Sequence, residues 1–299
     1  MRSGISNELI KNKKSRYLVD RILTISLWIL TVIVLFLIAA LLLFILSKGL
    51  PKLTPHFFFG LPDEILAGGG VGPFLINSFY VLFISLVISI PIGVGSGIYL
   101  SEYAPNNRLT EFIRTCVESL ATVPSIVFGL FGYVVFVDIF NIGLTILGAG
   151  VALSLLNLPV ITRVTEVSLQ AVPAELREAS YALGSTKSKS IVNVVVPVAM
   201  GGILTGLSLA TCRAFGESAV ILLVGGTGTS GNMWDFNLLS QGGTLPVHLW
   251  YLQSSAIVED AADIADMSAA VLVLIVLIIS LTMRFPLWLR DYKMRSRMK

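Results

Sequence analysis

The chain has 299 residues, of which 55% are hydrophobic and only 13% charged, with a mean hydropathy of +0.85. Soluble domains carry about 25% charged residues, so a fully water-exposed surface is excluded and a bilayer-facing one is implied. The net charge of +3 says little in total, its placement says more, and no nucleic-acid partner is expected.

In chain order, a basic lead over residues 1–21 carries Lys11, Lys13, Lys14, Arg16 and Arg21. The apolar run Ile22–Leu46 that follows far exceeds the about 7–15 residues of a signal-peptide core, and no small-residue cleavage site follows it. It reads as a retained first span. A spanning helix needs about 20 mainly apolar residues. Five further stretches qualify: Phe74–Leu100, Leu120–Phe140, Ile142–Ile161, Val194–Val224 and Met267–Leu289. The third and fourth are separated by a very short turn and form a helical hairpin. The fifth is longer than the bilayer core requires, so it tilts or begins outside the core before Pro197. The expected fold is an all-α polytopic membrane protein with six transmembrane helices. It is one membrane domain over 22–289, flanked by basic tails at 1–21 and 290–299.

Of the 21 Lys and Arg, all but Lys48, Lys52 and Arg213 fall in the N-terminal tail, in the loops near 101–114 and 162–193, or at the C-terminal end from Arg284 onward. By the positive-inside rule those segments are cytoplasmic, with both termini inside. The outer segments 47–73 and 225–265 are rich in turn residues, including Gly68–Gly70, Gly225, Gly226 and Gly228. Trp250 and Tyr251 suit a membrane interface, and an acidic run closes the second segment at Glu259 to Asp266. His56 and His248 are single residues on that side. Cys116 and Cys212 have no CxxC or histidine partner and read as small hydrophobes, with no metal site.

The inner loop 162–193 contains Ala171-Val-Pro-Ala-Glu-Leu-Arg-Glu-Ala-Ser-Tyr-Ala-Leu-Gly184. Pro173 suits a first helical turn and Gly184 a C-cap. Leu176, Ala179 and Leu183 give the helix one apolar stripe. Such a helix can lie on the membrane surface or dock in a partner's groove, and periodicity does not choose between them.

Within the fifth span, Arg213 and Glu217 stand four residues apart, one turn on a single helix face. An intramembrane Arg costs about 2.5–3.5 kcal/mol on insertion scales. The pair either neutralises itself within the bundle or lines a polar path. Guanidinium matches the oxygens of an oxyanion, and a neighbouring carboxylate would weaken its grip and accept a hydrogen bond from protonated phosphate. Prolines 91, 124, 159 and 197 lie in or beside spans, as kinks or as tolerated membrane prolines. No Walker A motif is present: Gly184-Ser-Thr-Lys-Ser-Lys-Ser190 lacks the second Gly before Lys-Ser. HExxH and GxSxG are also absent. The chain is expected to be no enzyme.

Glu178-Ala179-Ser180, three residues, Gly184, nine residues and Val194-Val-Val196-Pro197 resemble the EAA signature of ABC importer permeases, with Ser180 in place of Ala. Four segments resemble the PstA family of phosphate-importer permeases more narrowly. They are Val123-Pro-Ser-Ile-Val-Phe-Gly-Leu-Phe131, Leu158-Pro-Val-Ile-Thr-Arg-Val-Thr-Glu166, Val172-Pro-Ala-Glu-Leu-Arg-Glu-Ala179 and Arg213-Ala-Phe-Gly-Glu-Ser-Ala219.

The resemblance implies a type I (MetI-like) fold and a phosphate pathway using Arg213, Glu217 and Arg163, with Arg163 otherwise a positive-inside anchor. It also implies a helix motif at Pro124 and Ser125, and an ATPase-coupling loop using Glu175, Glu178, Ala179, Ser180, Gly184 and Pro197. It further implies a PstB-like ATP-binding subunit holding ATP and Mg, a PstC-like second permease, a PstS-like phosphate-binding protein, and a prokaryotic inner membrane. Sulfate or molybdate import is the alternative cargo. A channel or signalling subunit without active transport is the alternative class.

Overall fold

A computed structural model describes the backbone of residues 2–63, 67–255 and 258–297, and the side chains of 17, 19–63, 67–255 and 258–285. The basic residues of the tails, Arg2, Lys11, Lys13, Lys14, Arg16, Arg290, Lys293, Arg295, Arg297 and Lys299, lie outside the described side chains. Among the described residues the regular structure is helical, apart from one isolated β-bridge, Thr229 to Gly242.

Five helices are long and apolar enough to cross a membrane, and a bent helix pair supplies the sixth crossing. The first is α1 (Arg2–Gly49), whose span shows no buried face within this chain. A short helix α2 (Pro55–Phe59) follows, capped by the Thr54 side chain. The second crossing is α3 (Gly72–Ile98), continued by a π-helical turn at Tyr99–Tyr103.

The third crossing departs from the expected Leu120–Phe140. Helix α4 (Arg108–Thr122) and the segment α5 (Ser125–Gly132) with its π-helical continuation Tyr133–Ile139 meet at 94°. Val123 and Pro124 are both extended at the bend. The break itself is local in origin: a residue before proline is driven out of the α region, and Pro124 then starts α5 as its N-cap. Leu120, which the apolar count placed in the membrane, belongs to the other arm.

The fourth crossing, α6 (Ile146–Gln170), runs on past Ile161 because nothing in Thr162–Gln170 breaks a helix. The loop expected at 162–193 therefore narrows to the residues around α7 (Ala174–Ala182), before α8 (Lys187–Ser190) begins the fifth crossing. That crossing passes through a π turn, Ile191–Val195, into α9 (Val196–Phe215). Val196 N–H bonds back five residues to Ile191 O, widening the helix just before Pro197, which lacks a donor and crowds the preceding turn. The expected single span Val194–Val224 is broken: α9 stops at Phe215, and α10 (Ala219–Val224) restarts after Gly216–Ser218.

The outer segment 225–265, read from sequence as opening glycines, an interfacial aromatic patch and an acidic run, contains a ten-residue helix, α11 (Leu245–Ser254), started by Thr244 and Pro246. The loop before it serves the start of α6. Ile146 and Leu147 N–H groups, which have no partner inside their own helix, donate to Ser240 O and Leu238 O. The last crossing is α12 (Ala261–Arg297), antiparallel to α1, with Gly49 pressed against Asp266 and Ala270.

The core of the bundle is the pair α3 and α6. Ser85, Ser89, Gly93 and Gly97 recur every fourth residue on α3 and are all buried. A Cβ on Gly93 would lie 2.8 Å from Ile161 Cγ2, one on Gly97 2.6 Å from Thr165 Cβ, and one on Gly150 2.6 Å from Ile84 Cγ2. These matches advance together, so the helices run parallel and touch almost backbone to backbone. Between apolar helices in lipid, such close packing is the main attraction, and small residues permit it. Asn157 Nδ2 donates to Ser85 Oγ within the seam, at 3.3 Å. Helix α9 packs antiparallel on α6, with Gly202 against Ser168 and Gly206 against Val164.

Candidate functional site

Three polar assemblies stand out from the apolar bundle. The first joins α4 to the last turns of α6. Glu166 is 1% exposed and accepts from Arg114 Nε at 2.6 Å, Arg163 Nη1 at 3.1 Å and Gln170 Nε2 at 3.2 Å. Arg163 also pairs with Glu118 at 2.7 Å, and Arg114 Nη2 donates to Leu100 O at 2.8 Å. A cavity of about 660 Å³ opens beside this cluster, lined in part by Arg108, Arg114, Glu118, Arg163 and Gln170. Sequence reading singled out Arg163 alone. It treated Arg114 as a topology marker and passed over Glu166 and Glu118. The Arg163–Glu166 spacing of three was a readable signal, but the partner Arg114 is 52 residues away.

The second assembly is Arg213 with Glu217. They do not share a helix face. α9 ends between them, and Gly216 N–H and Glu217 N–H close its last turn on Cys212 O and Ala214 O. Glu217 turns forward, its Oε1 accepting from Ala219 N–H at the start of α10 at 3.1 Å. Gly216 is the break that the span count overlooked. Among the described residues, no ion pair joins Arg213 to Glu217. The antiparallel register of α9 on α6, 206 beside 164 and 202 beside 168, carries Arg213 to the level of Asn157, midway along α6. Its side chain is exposed on the isolated chain. Arg163 lies about 9 Å further along the axis, by the 1.5 Å rise per residue. The two arginines thus occupy different depths.

The third assembly is α7. Pro173 is its N-cap rather than its first turn. At the other end Gly184 has φ +80°, Ser185 N–H bonds to Ser180 O and Gly184 N–H to Tyr181 O. That is a Schellman closure, and it needs a residue tolerant of left-handed backbone. Ser180 and Arg177 face inward, while Glu175, Glu178, Ala179 and the apolar Leu176, Tyr181 and Leu183 face outward. Leu183 is 88% exposed. Pro124 and Ser125 stand at the bend between α4 and α5, above an apolar cavity of about 450 Å³ that includes Val123, Phe128, Phe131 and Pro159.

At the far end of the bundle, His248 of α11 is 7% exposed and stacks on Phe74, ring centroids 3.9 Å apart. Burial lowers its pKa to about 4, so the ring is neutral at pH 7. His56 lies on α2.

Among the described residues, no group of three or more His, Cys, Asp or Glu is placed to hold a metal ion. The arrangement offers partly exposed guanidinium groups around a buried carboxylate, a further guanidinium at mid-depth, and an exposed short helix at one end. The chain belongs to the family of binding-protein-dependent transport system inner membrane components, whose model matches residues 89–289. It is 39% identical over 281 residues to the probable ABC transporter permease protein YqgI of Bacillus subtilis, covering 91% of this chain and 96% of the relative. It is 35% identical over 214 residues to the phosphate transport system permease protein PstA of Yersinia pestis, covering 71% of each chain. Its fold is similar to that of the MetNI methionine ABC transporter in an inward-facing conformation, with a TM-score of 0.53, 24% identity, and coverage of 72% of this chain and 91% of that one.

Proposed function

We propose that the chain is the transmembrane permease subunit of an ATP-driven phosphate importer, forming half of the pathway and passing conformational change from a separate ATPase. One observation carries this reading. In a chain whose relatives include named phosphate permeases, α7 is held by a Schellman closure with Leu176, Tyr181 and Leu183 uncovered. A short helix with an apolar outer stripe is built to enter a partner's groove. The partner is a PstB-like ATP-binding subunit, which holds ATP and Mg and contacts Glu175, Glu178 and Ala179, with Gly184, Pro197 and the inward-facing Ser180 shaping the loop.

A PstC-like second permease completes the pathway, and a PstS-like binding protein delivers phosphate at the α11 end. Arg213, exposed at mid-depth on the isolated chain, contacts the passing anion once the second permease closes round it. Arg163 sits at the inner mouth, where Glu118 and Glu166 temper its charge so that the anion is released. Pro124 and Ser125 set the direction of the pathway helix α5. Both termini lie in the cytoplasm, in the inner membrane of a prokaryote. The test is labelled phosphate uptake into vesicles holding this chain with those partners. Uptake should require ATP and resist competition by sulfate. Equal uptake without ATP, or preferential sulfate uptake, would refute the reading.

A further inference from the structure

Arg177 lies on α7 but turns away from its uncovered stripe. One amino group, Nη2, donates to Glu102 Oε1 at 2.9 Å and to Leu169 O at 2.8 Å, and the other, Nη1, donates to Val172 O at 2.6 Å. Leu169 is in the last turn of α6 and Val172 lies just beyond it, where carbonyls lack the partner that a continuing helix would supply. Glu102 belongs to the π turn that ends α3. A single guanidinium therefore fastens three elements. The side chains of Arg177 and Glu102 are only 19% and 7% exposed, so this pair is not a screened surface contact.

We propose that the Arg177–Glu102 pair is the joint through which movement of α7 reaches the second crossing, α3. The inference rests on the importer reading above. The backbone connections of α7 are poor levers, since it is joined to α6 and α8 through the non-helical residues Ala171–Pro173 and Leu183–Thr186. The ion pair gives a fixed distance that those turns lack. The next residue strengthens the point. Tyr103 Oη lies 3.3 Å from Ser188 Oγ, and Lys187 Nζ sits 4.8 Å from the Tyr103 ring centroid. The π turn Tyr99–Tyr103 thus meets the elements on both sides of the loop, α7 and α8. Beyond it, the Ser85–Ser89–Gly93–Gly97 seam locks α3 to α6, so a displacement of Glu102 moves two crossings as one body. Arg177 and Glu102 are positioning residues in this scheme, and neither needs to touch phosphate or ATP.

The test uses the assembled complex in vesicles and measures phosphate moved per ATP hydrolysed, a ratio that a purely structural role would leave alone. In Glu102→Gln and Arg177→Gln, the ATPase should still co-purify and still hydrolyse ATP. Phosphate moved per ATP should fall by at least about fivefold, the lower end of typical coupling between sites. Glu102→Asp should recover part of the ratio. A ratio within about twofold of the wild type in Glu102→Gln would overturn the proposal, as would uptake and hydrolysis falling in step. If Arg177→Gln is not recovered folded because its carbonyl contacts are lost, Glu102→Gln decides alone, because it keeps the side-chain volume and an acceptor oxygen. Failure of the wild-type complex to move phosphate would strike the importer reading instead.

Discussion

Arg114 Nε and Glu166 Oε1 lie 2.6 Å apart, and this contact fastens the arm before the Pro124 bend to the end of the fourth crossing. Glu166 is almost fully buried and receives two guanidinium groups. Removing it leaves both without their central partner. Breaking a buried pair costs about 3–5 kcal/mol, and the partial exposure of Arg114 and Arg163 puts the expected loss near the lower end. Glu166→Ala should therefore melt well below the wild type in detergent, and Glu166→Gln, which keeps an acceptor oxygen, should fall between them. Equal melting of Glu166→Ala and wild type would remove the cluster's structural role.

The α3–α6 seam makes a sharp comparison between two glycines. A Cβ on Gly97 would meet Thr165 Cβ at 2.6 Å and Thr162 O at 2.7 Å, while Gly95 has nothing within 4 Å. Gly97→Ala should destabilise by about 1–3 kcal/mol through overpacking. Gly95→Ala should be neutral or stabilise by up to about 1 kcal/mol, the helix propensity gain. Thermal unfolding of the two variants side by side checks both signs.

Gly184 holds a left-handed backbone at φ +80° with open space around it. A Cβ in Gly184→Ala therefore meets no clash, and its cost is conformational, about 1–2 kcal/mol. The strain should appear as faster amide exchange at position 184 and at Ser185, whose N–H groups make the Schellman closure, with exchange in α3 and α6 unchanged. Gly184→Asn should show less of it.

His248 gives the outer cluster a pH dependence with a defined sign. Its folded pKa, about 4, is below the ordinary value of 6.5. Above 6.5 both folded and unfolded chains hold it neutral and stability is full. As pH falls from about 6.5 towards 4, the unfolded chain takes up a proton that the folded chain refuses, and up to roughly 3 kcal/mol is lost. The melting temperature of the wild type should drop across that window. His248→Gln should flatten this part of the profile, and an identical slope in both proteins would rule His248 out as its source.

Arg213 has an exposed side chain and no ion pair among the described residues, so Arg213→Gln should change the stability of this chain by no more than about 0.5 kcal/mol. Phosphate uptake by the assembled variant should nevertheless be lost. Normal uptake would remove Arg213 from the pathway.

The membrane class, the six crossings and the short helix ending at Gly184 were legible because each has a local signature. These are long apolar runs, and a proline and a glycine bracketing good helix formers. Interruptions were not legible where a short polar group sat inside apolar sequence. Gly216–Glu217 broke a run that hydropathy read as continuous, and with it the expected shared face of Arg213 and Glu217. Pro124 was noticed, but a 94° turn depends on what both arms pack against. The α3 seam was present in the sequence as a four-residue spacing of Ser and Gly, a pattern that hydropathy alone does not weigh. Glu166 and Glu102 became visible only with their distant partners, since a lone carboxylate gives no sign that an arginine 52 or 75 residues away will bury it.

The bend at Pro124 has a consequence for the bilayer itself. The arm that continues past it has eight residues in α5 and seven in its π-helical continuation, Tyr133–Ile139. At 1.5 Å per residue that spans about 22 Å, against a hydrocarbon thickness of about 30 Å. Wherever lipid meets α5, the bilayer has to thin or headgroups and water have to reach inward. Where a second subunit covers it instead, that subunit has to supply the missing length.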